Sequence, residues 1–300
     1  MAIEKTKRLQ ELLLLLLLAT LWGASYAFIK IGVQTIQPVT LIAARTLIAG
    51  GSLAALIAWR GVAWPADRAT WARFVIQACL NSVIPFTLIA WAEQRVDSSL
   101  AVILNSMSPI FTFLLALGLA RHEPTTLRKL FGVLAGLAGI CLIVGVKAVD
   151  GLDGEVWAQL AIVLATVCYA GAALFGRGFN RMDPMLPAAG SLLCGAVVLL
   201  PLSLLVDRPW QLHVSAASAW ALLGLAVFST ALALVIYFRL VRTLGALGTT
   251  SQAYLRVPVG VAIGVGLMGD SLAPTAWLGL ACVVAGVAAM TWPAKLGVST

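Results

Sequence analysis

The sequence predicts an all-α membrane protein: ten transmembrane helices forming two inverted five-helix repeats, with both termini cytoplasmic. Three observations carry this. Of the 300 residues, 61% are hydrophobic and 11% charged, with a mean hydropathy of +0.99, which leaves too little polar surface for a water-soluble domain. Ten apolar runs of roughly 20 residues, each enough to cross a ~30 Å hydrocarbon layer, follow one another with short polar joints. The chain also resembles itself at a nearly constant offset. Helices are preferred to a barrel because the runs are continuous rather than alternating, and each satisfies its own backbone hydrogen bonds.

The runs cover roughly residues 10–31, 38–59, 74–96, 99–119, 128–146, 156–176, 185–206, 216–238, 246–268 and 275–292. The first, "LLLLLLLATLWGAS" behind Lys5, Lys7 and Arg8, has the flank of a signal peptide. Its length and its part in the repeat make it a retained helix. The second opens on Pro38 and holds Arg45; the third carries the stripe Gln77, Asn81, Pro85. In the fourth, Asn105, Ser108, Pro109 and Thr112 share one helix face. The fifth has Gly132, Gly136 and Gly139, and the ninth Gly260 and Gly264, spacings that let helices approach closely and suit packing within the monomer before a homodimer. Tyr169 lies on the sixth, Thr230 and Tyr237 on the eighth, Arg256 and Pro258 on the ninth.

Lysine and arginine set the direction. Fourteen fall on the side of the amino terminus, four (Lys30, Arg95, Lys147, Arg208) on the other, and Arg45 and Arg256 within spans; the positive-inside bias makes both termini cytoplasmic. The net charge of +8 is parcelled into loops, unlike the clustered patch that nucleic acid requires. No nucleic-acid partner is expected. The five cysteines stand within spans at no metal-ligand or redox spacing, so neither a metal nor another cofactor is expected.

"LATLWGASYA" from Leu18 resembles "LATVCYAGAA" from Leu164, an offset of 146; Pro109 meets Pro258 at 149, and Gly132 and Gly139 meet Gly279 and Gly286 at 147. The halves are residues 1–150 and 151–300, integrated in one transmembrane domain. Five spans per half turn the second half upside down, the architecture by which secondary transporters expose one central site to either side in turn.

The stretches "WGASYAFIKIGV", "LIAARTLIAG", "NSMSPIFTFLLAL" and "APTAWLGLACVVAGV" resemble the drug/metabolite transporter superfamily, in particular its EamA-type ten-helix family, over nearly the whole chain. The resemblance implies transport of small metabolites, often amino-acid export, by alternating access in the cytoplasmic (inner) membrane; exporters of aromatic amino acids are the nearest comparison. Where many members have a glutamate just before the ninth-span proline and a later "GE" pair, this chain reads "LRVP" and "GD".

Pro109 and Pro258 fall near mid-membrane at 1.5 Å per residue, and each is expected to break its helix and free a carbonyl. The repeat relates Asn81 to Thr230 and Asn105 to Tyr254. This quartet, with Ser108, Trp22, Tyr26, Tyr169 and Tyr237, is expected to line a substrate cavity. Each residue alone could equally be interhelical glue or filler. Arg256 could bind a substrate carboxylate bidentately, or could use freed carbonyls or snorkel; on a straight helix it faces away from Tyr254 and shares its face with Gln252. Arg45 is expected to snorkel or brace.

With Glu93 and Asp97 placed at the outer end of the third span and no acid or histidine at mid-depth, uncoupled facilitated efflux is expected. The small-molecule substrate would be an amino acid, aromatic or otherwise neutral. A drug, nucleotide sugar or other metabolite is the alternative. An intramembrane enzyme lacks a nucleophile–base pair or metal cluster, and a purely structural membrane protein has no need of matched breaks.

Overall fold

The computed structural model describes residues 2–119, 127–145, 154–250 and 252–291, and every regular element among them is helical. The α-helices are α1 (Ala2–Gly32), α2 (Pro38–Trp59), α3 (Arg68–Ala78), α4 (Ile84–Ala92), α5 (Ser98–Asn105), α6 (Ser108–Leu119), α7 (Leu127–Ile140), α8 (Gly154–Gly176), α9 (Met185–Val206), α10 (Ala216–Leu223), α11 (Ala233–Thr250), α12 (Gln252–Ile263) and α13 (Pro274–Thr291). π-helical segments join α3 to α4 (Cys79–Val83) and α10 to α11 (Gly224–Leu232), and extend α7 (Cys141–Gly145) and α12 (Gly264–Met268).

Local chemistry sets the ends. Pro38 occupies the first turn of α2, where its missing N–H costs nothing. The Asp67 carboxylate accepts from the Thr70 N–H at 2.7 Å and caps α3, and the Ser215 hydroxyl accepts from the Ser218 N–H at 3.1 Å to cap α10. After Met268 the chain turns through Gly269 at φ 74°, a left-handed conformation that glycine adopts without strain.

Among the described residues, seven helical stretches are long and apolar enough to cross a membrane, and Leu130–Ile143, Leu255–Met268 and Pro274–Gly286 are shorter apolar helices. The expected fifth, ninth and tenth spans reach into or across residues outside the described ones. One boundary differs from expectation: α11 runs through the anticipated polar joint to Thr250, since helix formation continues wherever no proline or cap stops it. Lipid-facing character is plain in large apolar side chains left on the surface, such as Leu13 (57% exposed), Val197 (72%) and Leu205 (77%).

Helices related by the sequence repeat pack against each other in opposite senses. On α2 and α9, Gly50 meets Leu192 and Leu193, Arg60 meets Met185 and Thr40 meets Ser203. On α5 and the α12 strut, Val102 touches Gly260 and Ser99 touches Gly264. On α7 and α13, Gly139 lies against Gly279 and Gly132 against Gly286. A Cβ at Gly286 would come within 2.6 Å of the Gly132 carbonyl oxygen, so the backbones themselves are in contact. The glycine spacing of α7 thus serves packing inside the chain. The remaining partners are exchanged: α1 packs on α10–α11, and α4 on α8.

Candidate functional site

Five helices and one π segment bring polar side chains to one central cluster. From α1, Tyr26 is 5% exposed and its hydroxyl oxygen accepts from the Asn105 amide at the end of α5. Arg45, from α2, is 6% exposed. Its guanidinium lies 3.7 Å from the centre of the Phe86 ring, and its Nε donates to the Thr230 hydroxyl at 2.9 Å. Phe86 in turn packs on Tyr169 of α8, centroids 6.3 Å apart. Arg45 therefore braces the two halves, and its expected snorkelling does not occur: cation–π contact and a hydroxyl acceptor replace water around the charge.

Arg256 of α12 lies within electrostatic reach of both Tyr26 and Tyr169, as does Arg45. Its Nε is buried with no hydrogen-bond partner, and so are Oε1 of Gln252, one helical turn earlier, and Oδ1 of Asn105. The Arg256–Gln252 face of α12 is thus turned inward. Tyr254, the repeat mate of Asn105, has a side chain outside the described residues.

The two expected helix breaks have different outcomes. The fourth span is interrupted: α5 ends at Asn105, α6 restarts at Ser108, and Pro109 takes the first turn of the new helix. Pro258 is a correction. It sits inside α12, which runs on through it, and its ring is exposed. A proline whose ring points outward leaves the inner face of its helix continuous. The second half is irregular elsewhere, in the π segment that carries Thr230. Its repeat mate Asn81 stands in the corresponding π segment, Cys79–Val83. There the Thr230 hydroxyl also donates to the Leu225 carbonyl five residues back, at 2.8 Å, compensating the widened turn. Local π turns recur at functional sites.

Of the other predicted residues, Trp22 and Tyr237 pack on each other, centroids 5.6 Å apart, within a separate apolar cluster around Leu18 and Leu240. Ser108 is half-buried, and its carbonyl accepts from Thr112 at 2.8 Å. Sequence reasoning missed Arg45, Phe86 and Gln252 as members of the cluster, and it misjudged Glu93. The Glu93 residue is 0% exposed, and neither carboxylate oxygen has a hydrogen-bond partner. Glu93 thus stands at the outer end of its span, as expected, but buried rather than open to water. Position within a span does not report burial when a helix end is covered by its neighbours.

The two ends of the bundle differ. On the side with few basic residues, hydrogen bonds cross between the halves. Asp270 accepts from Ser98 Oγ (2.8 Å), Ser99 N (2.9 Å) and Ser99 Oγ (2.7 Å). Asp207 accepts from Thr40 N (2.7 Å) and Thr40 Oγ1 (2.9 Å), and Ser218 Oγ donates to the Ile31 carbonyl at 2.8 Å. On the basic side a cleft of about 270 Å³ opens between α2, α9 and α11, lined by Arg60, Met185, Val235, Phe238, Arg239 and Thr243.

The EamA-like transporter family matches residues 9–145 and again residues 156–292. The chain is 29% identical to the uncharacterized inner membrane transporter YedA of Escherichia coli, over 92% of this chain and 90% of that one. It is 26% identical to a probable terminal-alkyne amino-acid exporter of Streptantibioticus cattleyicolor, over 91% and 90% of the two chains. A solved structure described only as a protein crystal structure shares the fold, with a TM-score of 0.63 at 18% identity over 94% of this chain and 97% of the other. Matched twice over nearly its full length, the chain belongs to the EamA-like transporter family, and it is a multi-pass membrane transporter rather than an enzyme.

Proposed function

We propose that the protein exports small neutral or zwitterionic metabolites, amino acids above all, across the inner membrane by alternating access between two inverted five-helix halves. The observation that carries this reading is the central cluster of Tyr26, Asn105, Arg256 and Gln252, where one donor, Arg256 Nε, and two acceptors, Asn105 Oδ1 and Gln252 Oε1, are buried without protein partners. Such atoms cost about 1–3 kcal/mol each if left unmade, so they suit a solute with both a donor group and an acceptor group. The antiparallel packing of repeat-related helices supports inversion. The tied outer end supports a state closed outward. Arg256 is the group to meet a carboxylate, and Phe86 and Tyr169 supply apolar walls for a neutral or aromatic side chain. The amino-acid exporter among the relatives points the same way. A monomer is sufficient for this cycle.

The test loads proteoliposomes with one radiolabelled solute at a time: phenylalanine, threonine, methionine or a nucleotide sugar. Efflux of one or more amino acids, reduced about tenfold or more by Tyr26→Phe or Asn105→Leu (two hydrogen-bonding groups, each ~1–1.5 kcal/mol), is the expected result. Efflux of the nucleotide sugar alone would replace amino acids with the alternative cargo.

A further inference from the structure

Glu93 is a fully buried acid that neither the fold nor the cluster uses. It follows the last turn of α4, at 0% exposure, with both carboxylate oxygens free of hydrogen bonds. Its position is between the central cluster and the outer seal, within electrostatic reach of Tyr26 on one side and Lys30 and Asp270 on the other. Among the described residues, the cations Lys30 and Arg45 act on the carboxylate through space, and neither is bonded to it. Lys30 donates to the backbone carbonyls of Glu93 (2.9 Å) and Val96 (2.7 Å), so its ammonium closes the end of α4 without a hydrogen bond to the carboxylate. Arg45 is taken by Thr230 and Phe86. Asp270 is spent on the start of α5. Arg95 lies over Trp91, 5.0 Å from the ring centre, and Asp97, itself within electrostatic reach of Glu155, shares Asp270 and Lys30 as charged neighbours. A bare carboxylate cannot be sealed into such a shell without a large desolvation cost.

We propose that Glu93 is an exchange site that must hold one cation, a proton or the ammonium group of the solute, each time the outer seal closes or the loaded carrier turns. Its consequence is coupling of export to proton entry. When the carrier faces inward and water reaches the site, the Glu93 O–H gives its proton to water, and the carboxylate takes the solute ammonium in its place. Facing outward, the solute leaves and a proton from outside restores the neutral acid, over which the seal of Asp270, Ser98 and Ser99 closes. One proton enters for each solute that leaves. The direction of exchange rests on the export reading above; the cation requirement of Glu93 does not.

Two measurements decide it. Infrared spectra of the purified wild-type chain at neutral pH should contain the carbonyl band of a protonated carboxylic acid, and Glu93→Gln should lack it. Absence of that band in the wild type overturns the proposal, and no variant is needed to see it. In proteoliposomes clamped at zero membrane potential and loaded with radiolabelled phenylalanine, threonine or methionine, one pH unit acid outside should shift the steady-state solute ratio about tenfold for one-for-one exchange, and Glu93→Gln should abolish the shift. A wild type indifferent to the gradient, or a Glu93→Gln variant that still responds, also overturns it. If the band is present but no amino acid moves under any gradient, the cargo reading fails while the proton site stands.

Discussion

Replacing Thr230 by valine removes one oxygen at nearly constant volume and tests whether Arg45 joins the halves. Thr230 is 3% exposed and Arg45 6%, and their bond is 2.9 Å long. Valine leaves a buried, charged N–H without an acceptor, a loss of about 1.5–3 kcal/mol for bonds to ionised groups. Interhelical hydrogen bonds within membranes average about 0.6 kcal/mol because the unfolded chain also finds partners there. The charge and the near-complete burial favour the upper figure, and the bond lost to the Leu225 carbonyl adds to it, giving about 2 kcal/mol in all. For a chain of this size, that lowers the melting temperature by about 4 °C. Thermal unfolding of the detergent-solubilised protein would compare Thr230→Val with Thr230→Ser, which keeps the hydroxyl. A double-mutant cycle with Arg45→Met should give a coupling of about 1–2 kcal/mol. If valine and serine behave alike, or the cycle closes to within about 0.3 kcal/mol, Arg45 does not depend on Thr230 and the bracing argument is wrong.

Asp270→Asn should raise amide hydrogen exchange at Ser99 and the next residues by about tenfold or more, since a charge-assisted bond worth at least ~1.5 kcal/mol is weakened; unchanged exchange would show that Asp270 does not hold the outer end. Gly286→Val should push α13 away from the Gly132 carbonyl and destabilise the fold by about 1–3 kcal/mol, whereas Gly51→Val, at a position with open space around the missing Cβ, should cost less in the same melting assay. Asp67 lies outside the spans, and the Thr70 N–H and hydroxyl hold its carboxyl below the ordinary value of 3.8. Because the folded value is the lower one, its contribution is complete above pH about 4 and is lost only as the pH falls through the depressed value. Protection of the first turn of α3, followed by hydrogen exchange, should therefore drop in that acid range, and Asp67→Asn, an equally good cap, should remove the pH dependence.

Hydropathy was enough to read the class of the molecule, because a helix in lipid must satisfy its backbone alone and needs an uninterrupted apolar run to do so. The repeat was legible for a similar reason: Pro109 and Gly139 are local signals that survive at fixed spacing. Asn105 and Tyr26 were legible as polar or amphipathic residues on one face. Pro258 was misread because a proline breaks a helix only where its context requires, and here the ring lies on the outer surface while a π segment supplies the irregularity. No propensity marks the π turns around Asn81 and Thr230.

The sequence by itself determined an all-helical membrane chain with a repeated pattern and a basic side, since those follow from composition and linear spacing. Tertiary structure alone decided which charges are paired. Arg45, Lys30 and Asp270 find partners in distant segments, Glu93 finds none, and Arg256 turns inward beside Gln252. Solvation of a charge depends on what the other helices place around it, and that distance is not written along the chain.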